Sequence, residues 1–345
     1  MSVTTRIQEL NNRLATNLVS KGVSAEGTET TTELINKVND IESGGTSVIN
    51  PEWTDWQYFS YNNSRNDLVA KLKYSDTSKG IRFASMFQGC SSLTTIPQLD
   101  TSNGTSFSSM FNSCSALTTI PQLDTSNGTN FSNMFSVCSA LTTIPQLDTS
   151  KGTNFGYMFN YCSKLTNIPQ LDTSNGTSFS SMFVNCTDLT NIPQLDTSNG
   201  TDFNYMFRGC SKLTTIPQLD TSKGANFGYM FNSCSALTTI PQLDTSNGTS
   251  FIHMFYNCTD LTNLTMTGTI KANGMDLHYS TKLSKASIIS VINALSDTTN
   301  ALKIQFSKTA VNNAFETSSG VADGSTSEEW TTLIATKANW TIALS

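Results

Sequence analysis

Eight cysteines recur at a constant interval of 24 residues, and a column of thiols could form disulfides or bind a metal. Metal sites usually combine cysteines two residues apart, or a cysteine with a nearby histidine, and the sequence contains neither pattern. Each cysteine instead lies in the apolar phase of its repeat, beside Phe and Leu, where a thiol behaves as a small hydrophobic group. We expect reduced, buried cysteines and no metal, with oxidation of neighbouring pairs as the alternative. The cysteines are Cys90, Cys114, Cys138, Cys162, Cys186, Cys210, Cys234 and Cys258.

Seven aspartates, from Asp100 to Asp244, follow the same interval, and a row of carboxylates could bind calcium. In water, two charges about 5 Å apart repel by less than about 1 kcal/mol, whereas a hydrogen bond to a charged group contributes about 1.5–3 kcal/mol. Each carboxylate is therefore predicted to cap its own turn by accepting backbone N–H groups, as in Asx-turns. Calcium binding along the column is the alternative, although the glycine-rich loops of calcium-binding β-rolls are absent.

Catalytic groups are sparse. The chain has two histidines, His253 and His278, and neither has a plausible nucleophile nearby in sequence. Serines are abundant, but no Gly-x-Ser-x-Gly motif, typical of a nucleophile elbow, is present. The sequence therefore predicts a protein that is not an enzyme and that uses no cofactor.

The element that positions these columns is a 24-residue repeat, and a period in the twenties indicates a solenoid of stacked coils. In residues 107–130, Phe107, Met110, Phe111 and Cys114 are spaced to share one face of a helical or 3₁₀ turn. The run LTTIPQL that follows predicts a short parallel strand, in which proline leaves one hydrogen bond per coil unmade. The corner DTSNG ends the repeat, with Asn or Gly expected at positive φ.

Two phrases of the repeat, MFxxCSxLTxI and LDTSNxT, resemble the BspA-type leucine-rich repeat of bacterial surface proteins and of phage or prophage structural proteins. The resemblance covers roughly residues 66–283 and implies recognition or adhesion at a surface. The predicted fold class is an α/β solenoid: a leucine-rich-repeat-like array of 24-residue coils, each with a short parallel strand and a helical or 3₁₀ turn. An N-terminal helical hairpin and a small α/β C-terminal cap complete it.

Four segments are expected: a helical anchor or oligomerisation segment (1–45), an N-terminal cap with a degenerate first coil (46–80), the solenoid (81–283) and a C-terminal cap (284–345). The first segment carries apolar residues at helical spacing, which we expect to form an anchor or oligomer interface. These residues are Val3, Ile7, Leu10, Leu14, Leu18, Leu34, Val38 and Ile41. The segment is similar to N-terminal segments of structural proteins of phages that infect Gram-positive bacteria.

The C-terminal cap is predicted from local signals. Ser284 can cap a helix whose apolar side includes Ile288 and Leu295. Strands are expected near LKIQF and WTIAL, a further helix near residues 326–337, and Trp330 and Trp340 in the interior.

Specificity in a near-identical array must depend on the positions that vary. The residue before the core Met is small or polar in the early coils but aromatic in most of the later ones, and further large side chains follow shortly after the Met. Tyr and Arg are favoured at interfaces, so these residues form a candidate binding stripe, with neutral drift as the alternative. They are Tyr157, Tyr161, Tyr205, Arg208, Tyr229, His253 and Tyr256. The opposite face, with Thr118, Thr119 and Gln122, could bind a repetitive ligand such as a glycan or simply face solvent.

The composition of the chain argues against several classes of binding partner. Charged residues make up 13% of the chain, the net charge is −6 and no Lys/Arg run occurs, which argues against nucleic acid and anionic membranes. No apolar run approaches the length of a membrane span, and the N-terminus lacks the apolar stretch of a secretory signal.

We therefore expect a non-enzymatic virion structural protein, a phage fibre or a capsid or tail decoration, on the virion surface and released by lysis. The N-terminal segment would contact other virion proteins, and the solenoid would contact a host surface protein or glycan. A homo-oligomer, with a trimer as one form, is expected. A bacterial cell-surface adhesin and an intracellular interaction scaffold are the alternatives.

Overall fold

The computed structural model describes residues 76–297, 301–315 and 323–345. The predictions for segment 1–45, including its apolar interface residues, and for nearly all of segment 46–80 lie outside the described residues. The described part consists of stacked 24-residue coils followed by a small region of helices and strands.

Two columns of phenylalanine rings form the centre of the solenoid. Rings at equivalent positions of successive coils, from Phe83 to Phe251 and from Phe87 to Phe255, stack with centroids 5.4–5.9 Å apart and planes within 3–11° of parallel. The rings, the core methionines and the leucines beside them are buried. The expectation that successive repeats lie in register, with continuous apolar columns, is confirmed.

The turn segment is not helical, so that part of the predicted fold class is wrong. In the coil that begins at Phe107, the N–H groups of Met110 and Cys114 donate to carbonyls three residues earlier, at 3.2 and 3.0 Å, which makes successive β-turns. Alternate N–H groups leave the coil: those of Phe107, Ser109 and Phe111 donate to carbonyls of the next coil at 2.8–3.0 Å. These bonds between coils replace the bonds that a helix would make within itself.

The reason is that two residues per turn segment adopt positive φ, which a right-handed helix excludes. The first left-handed column, at the residue before each core Met, runs from Ser85 (φ 58°) to His253 (φ 49°). The second left-handed column lies four residues later and includes Gly89, Val137 and Gly209. Asn and Gly tolerate this conformation, whereas a β-branched residue is strained in it.

Replacing Val137 by glycine should therefore stabilise the protein by roughly 1 kcal/mol, because valine at φ 60° is strained and glycine is not. Glycine already fills the equivalent position at Gly89 and Gly209. The measurement is urea unfolding followed by circular dichroism. Val137→Ala is the matched control, since it removes the two methyl groups but keeps the Cβ, and we expect a smaller gain. Equal stability of Val137→Gly and wild type would contradict the strain assignment.

The strand side of most coils contains no continuous strand, which corrects the second part of the predicted repeat. Among the coils that the structure describes, only the last repeats form a parallel pair of strands there, β1 (Thr239–Asp244) with β2 (Asn263–Thr267). In earlier coils a side chain bridges the place where proline cannot donate: Gln122 Nε2 donates to the carbonyl of Gln146 in the next coil at 2.6 Å. The expected loss of a backbone hydrogen bond at the prolines is thus compensated by a glutamine column.

The corner differs from expectation in one respect. Gly128 and its equivalents do not have positive φ; instead, a Cβ added at Gly128 would lie 2.6 Å from Cζ of Phe131. Glycine is needed because a phenylalanine ring packs against the backbone. Beside it, buried Thr125 donates its hydroxyl to the Asp148 carbonyl of the next coil at 2.7 Å. Backbone bonds here run towards the preceding coil, as from Thr129 N–H to Thr105 O at 2.9 Å.

The C-terminal region contains a parallel sheet in the order β3-β4-β5, together with α-helices. Its elements are β3 (Asp276–Leu277), α1 (Lys285–Ala294), β4 (Leu302–Phe306), α2 (Lys308–Phe315), a 3₁₀ turn (Gly324–Thr326), α3 (Glu328–Ala335) and β5 (Trp340–Leu344). Ser284 caps α1 as predicted, and β4, α3 and β5 match the expected elements, with Trp330 and Trp340 buried. β3 and α2 were not predicted. Among the described residues, no helix has the length and apolar character needed to cross a bilayer.

Candidate functional site

The cysteine column is part of the core, and its thiols are unreactive. All eight cysteines are free and buried, as expected. Each thiol from Cys114 onwards donates to the carbonyl of a phenylalanine in the preceding coil, as from Cys162 Sγ to Phe135 O at 3.0 Å. Burial raises the pKa of the Cys162 thiol to about 12, so the nucleophilic thiolate is not populated at neutral pH. These thiols are therefore structural.

The aspartate column caps the corners, as predicted. Asp124 Oδ1 accepts the Ser126 N–H at 3.0 Å and the Ser126 hydroxyl at 2.6 Å. These two hydrogen bonds lower the pKa of Asp124, and the opposing repulsion from Asp148 is the weakest of the contributions. Among the described residues, no group of three or more His, Cys, Asp or Glu side chains is arranged as a metal ion would require.

The face with the glutamine and aspartate columns forms an open groove of about 680 Å³, lined in part by Gln98, Asp100, Gln122 and Asp124. The glutamine amides donate to backbone carbonyls of neighbouring coils, and the aspartates bond their own turns. The glutamine amides thus hold neighbouring coils together, whereas the aspartates cap single turns. These structural hydrogen bonds are sufficient to explain why the residues of this face hardly vary from coil to coil, and no ligand is required.

The turn face carries a continuous chain of aromatic contacts, which we call the ring cluster: Tyr205, Tyr229, His253, Tyr256, His278 and Tyr279. The rings of Tyr205 and Tyr229 stack with centroids 4.6 Å apart and planes 9° from parallel. His253 follows, 5.4 Å from Tyr229 and 5.3 Å from Tyr256. Tyr279 closes the chain, 4.9 Å from Tyr256 and 3.6 Å from His278.

The backbone imposes this spacing. Tyr205, Tyr229 and His253 occupy the first left-handed column, with φ between 49° and 59°. Their N–H groups donate to carbonyls of the next coil or of the segment that follows the array, at 2.7–2.8 Å. Because each residue is fixed to its successor, adjacent aromatic residues in this column come into contact. Ring contact here is therefore a direct result of the repeat register.

The candidate stripe is brought together only in part. Tyr205, Tyr229, His253 and Tyr256 belong to the ring cluster, and the Arg208 guanidinium lies 5.7 Å from the Tyr205 ring centre. Tyr157 and Tyr161 are 45% and 48% exposed but join no ring contact among the described residues. Buried Ser181 takes the column position in the coil between Tyr157 and Tyr205, so the column is interrupted there.

Sequence reasoning missed Asp276, His278 and Tyr279, because they lie beyond the last regular repeat. A signal was present nonetheless. A further step of 24 residues from the core pair Met254 and Phe255 lands on His278 and Tyr279. Polar aromatic residues thus replace core residues at the first unit after the array, which could have marked the site.

The polar part of the ring cluster is built on Asp276, whose side chain is only 12% exposed. Asp276 Oδ1 accepts from His278 Nδ1 at 2.6 Å and from the His278 backbone N–H at 3.1 Å. The hydroxyls of Tyr256 and Tyr279 are 3.5 Å apart, and this hydrogen bond is the main reason that the pKa of Tyr256 is raised. The Tyr256 phenol therefore stays neutral at physiological pH and can both donate and accept a hydrogen bond.

This arrangement is suited to binding. Half-exposed rings supply contact area at little cost in side-chain entropy, and hydroxyls and a guanidinium supply directional hydrogen bonds. Ser280, the serine closest in sequence to His278, has no exposed surface and cannot reach a substrate.

Comparison with known families gives a match over the repeats. A family model described as "Mycoplasma protein of unknown function, DUF285" matches three overlapping stretches, residues 56–166, 119–215 and 177–285. No curated protein matches the chain.

Proposed function

Since the chain belongs to the DUF285 family of repeat proteins, we propose that it is a non-enzymatic recognition protein which presents the ring cluster on a stiff solenoid. In the fuller form of the proposal it is a virion structural protein, a fibre or decoration of a phage. It contacts a protein or glycan of the host surface, and its leucine-rich-repeat-like coils act as the spacer.

The ring cluster is the observation that carries the proposal. In an array whose other columns are nearly uniform, tyrosine and histidine side chains at one end contact each other and are partly exposed. Tyr279 is 39% exposed and neighbouring Ile252 is 47% exposed, so apolar surface continues beside the rings. Exposed apolar surface rimmed by polar groups is typical of interaction sites.

The solenoid supports the spacer role. Each coil is joined to the next by several backbone hydrogen bonds and by the glutamine and threonine side chains. Bending would stretch many of these bonds at once. A recognition surface at one end is thereby held at a fixed distance from the other end.

Two observations bear on where the protein acts. Resemblance of residues 1–45 to segments of phage structural proteins supports a virion, with those residues contacting other virion proteins and forming a homo-oligomer. The family description, which refers to a cellular organism, supports the second candidate, an adhesin on a bacterial surface. Mass spectrometry of purified particles and of washed cell envelopes separates them: the chain is expected in the particles, and its presence only in the envelopes would favour the adhesin.

Replacing Tyr205 and Tyr229 together by serine should weaken adsorption to host cells by at least about tenfold, because tyrosines at the centre of an interface often contribute more than 1 kcal/mol each. Serine is a conservative choice for the backbone, since it occupies the same left-handed column at Ser85, Ser109 and Ser181. The measurement is the adsorption constant of purified protein on cells.

Tyr157→Ser is the matched control, because this tyrosine is exposed in the same column but lies outside the ring cluster. It should adsorb like the wild type. Unchanged adsorption of the double variant, with an unchanged melting temperature, would overturn the assignment of recognition to the ring cluster.

A further inference from the structure

Both histidines of the chain converge on one carboxylate. His278 Nδ1 is hydrogen-bonded to Asp276 Oδ1 at 2.6 Å, while His253 Nδ1 lies 3.8 Å from the other oxygen, Oδ2. His253 belongs to the last coil of the array, and Asp276 belongs to β3, after the array ends. The carboxylate therefore stands between the solenoid and the C-terminal region.

The contact between His253 and Asp276 is incomplete. A separation of 3.8 Å is too long for a hydrogen bond, and His253 Nδ1 is buried without a partner although its ring is partly exposed. A neutral imidazole carries a proton on one nitrogen only, whereas the cation donates from both. Protonation would give Nδ1 a proton and a charge directed at the free oxygen of Asp276.

We propose that proton uptake by His253 closes this gap, ties the last coil to β3 through Asp276 and thereby makes the ring cluster responsive to pH. The mechanism is local. Moving Nδ1 from 3.8 Å into hydrogen-bonding distance of Oδ2 requires a small ring rotation, and Asp276 then bonds a histidine with each oxygen. Histidine is the side chain that most often serves as a switch between charged and neutral forms near physiological pH.

In the described part of the chain, the titratable groups that contact His253 and Asp276 belong to the ring cluster. Tyr229 faces His253 from the preceding coil, and Tyr256 faces it from within the same coil. His278 and Tyr279 follow β3, and both contact Tyr256.

Closure also affects the rings. His253 lies between Tyr229 and Tyr256, and Tyr256 bonds Tyr279, so fixing His253 restricts the neighbouring rings. If recognition depends on these rings, as the proposed function holds, acidification orders the surface that a partner contacts.

The test compares amide hydrogen exchange of residues 274–280 in the full chain at pH 7.5 and pH 5.5, with rates referred to the intrinsic rate at each pH. The wild type should become at least about tenfold more protected at pH 5.5. His253→Asn and Asp276→Asn should lose this change. Asparagine suits the backbone at position 253, because Asn133 occupies the same left-handed column. A nuclear magnetic resonance titration of the two histidines should place the midpoint of the change at His253.

An identical pH response in His253→Asn and wild type, or no response in the wild type, would overturn the inference. Adsorption measured on the same proteins separates the two proposals. Loss of adsorption in the Tyr205/Tyr229 double variant without any pH response in exchange refutes only the switch. A pH response that depends on His253, together with unchanged adsorption of the double variant, refutes the proposed function and leaves the switch standing.

Discussion

Deleting one complete repeat, residues 131–154, is expected to leave a folded protein that is shorter by about 4.8 Å, the spacing of stacked strands. The deletion joins Asn130 to Phe155, which restores the sequence order Asn-Phe found at Asn130–Phe131. Every phenylalanine, cysteine and glutamine column then continues in register, because the new neighbours are equivalent residues. Small-angle scattering measures the length, and thermal unfolding measures the fold.

The control is a deletion of half a repeat, residues 131–142. This shorter deletion removes only the first half of the same repeat. It places the strand side of one coil beside the turn side of the next. Apolar columns, thiol–carbonyl bonds and glutamine bonds are then all out of register, so we expect loss of the cooperative transition. Similar melting temperatures for the two deletions would show that register does not determine stability.

Phe179→Ala is expected to destabilise the protein by about 3–5 kcal/mol, the usual cost of removing a buried aromatic ring. Phe179 is fully buried between Phe155 and Phe203, with ring centroids at 5.9 and 5.8 Å. The neighbouring coils are fixed by their hydrogen bonds, so the structure cannot collapse into the space. The ring also lies against the backbone of Gly176, where a Cβ would come within 2.6 Å of it. Urea unfolding gives the free energy.

Tyr157→Ser serves as the control for this variant, because it also removes an aromatic ring but from an exposed position that serine occupies in other coils. Its effect should stay within about 0.5 kcal/mol. A loss below about 1 kcal/mol in Phe179→Ala would mean that the phenylalanine column contributes little to the core.

The apolar columns could be predicted from the sequence because burial follows residue type and period. Phe107, Met110, Cys114 and Leu117 had to be buried together in any regular stacking of 24-residue units, and they are. The cap of Asp124 could be predicted as well, since it depends on a local contact with Ser126. Helix α1 followed from the serine that precedes its apolar residues.

Backbone conformation within the turn could not be predicted. A spacing of three, one and three residues fits a helical turn and fits successive β-turns equally, and nothing in the residue types reveals positive φ at Val137 or Tyr157. The corner glycines gave the converse error, because they suggested positive φ where there is none. Gly128 suggested a left-handed corner, although its role is to make room for Phe131, a contact that exists only once the ring is placed.

Only part of the ring cluster could be predicted from the sequence. Tyr205 and Tyr229 share a column, so their contact follows from register once the repeat is known. His278 and Tyr279 lie one further period after Met254 and Phe255, so the repeat could have marked their positions, although not their contacts with Tyr256. Asp276 approaches His253 through the path of the chain after the array, and this contact could be identified only from coordinates.

The backbone hydrogen bonds between coils form two sets that point in opposite directions along the solenoid axis, and this affects the electrostatics of the two ends. On the turn side, N–H groups such as that of Phe107 point to the following coil, whereas at the corner the N–H of Thr129 points back to the preceding one. Peptide dipoles on the two sides therefore oppose one another, unlike those of an α-helix, which add up to partial charges at its termini. Each added coil contributes a smaller axial dipole than its turn-side bonds alone would give, so side chains at a terminus contribute correspondingly more to its attraction for ions or for another copy.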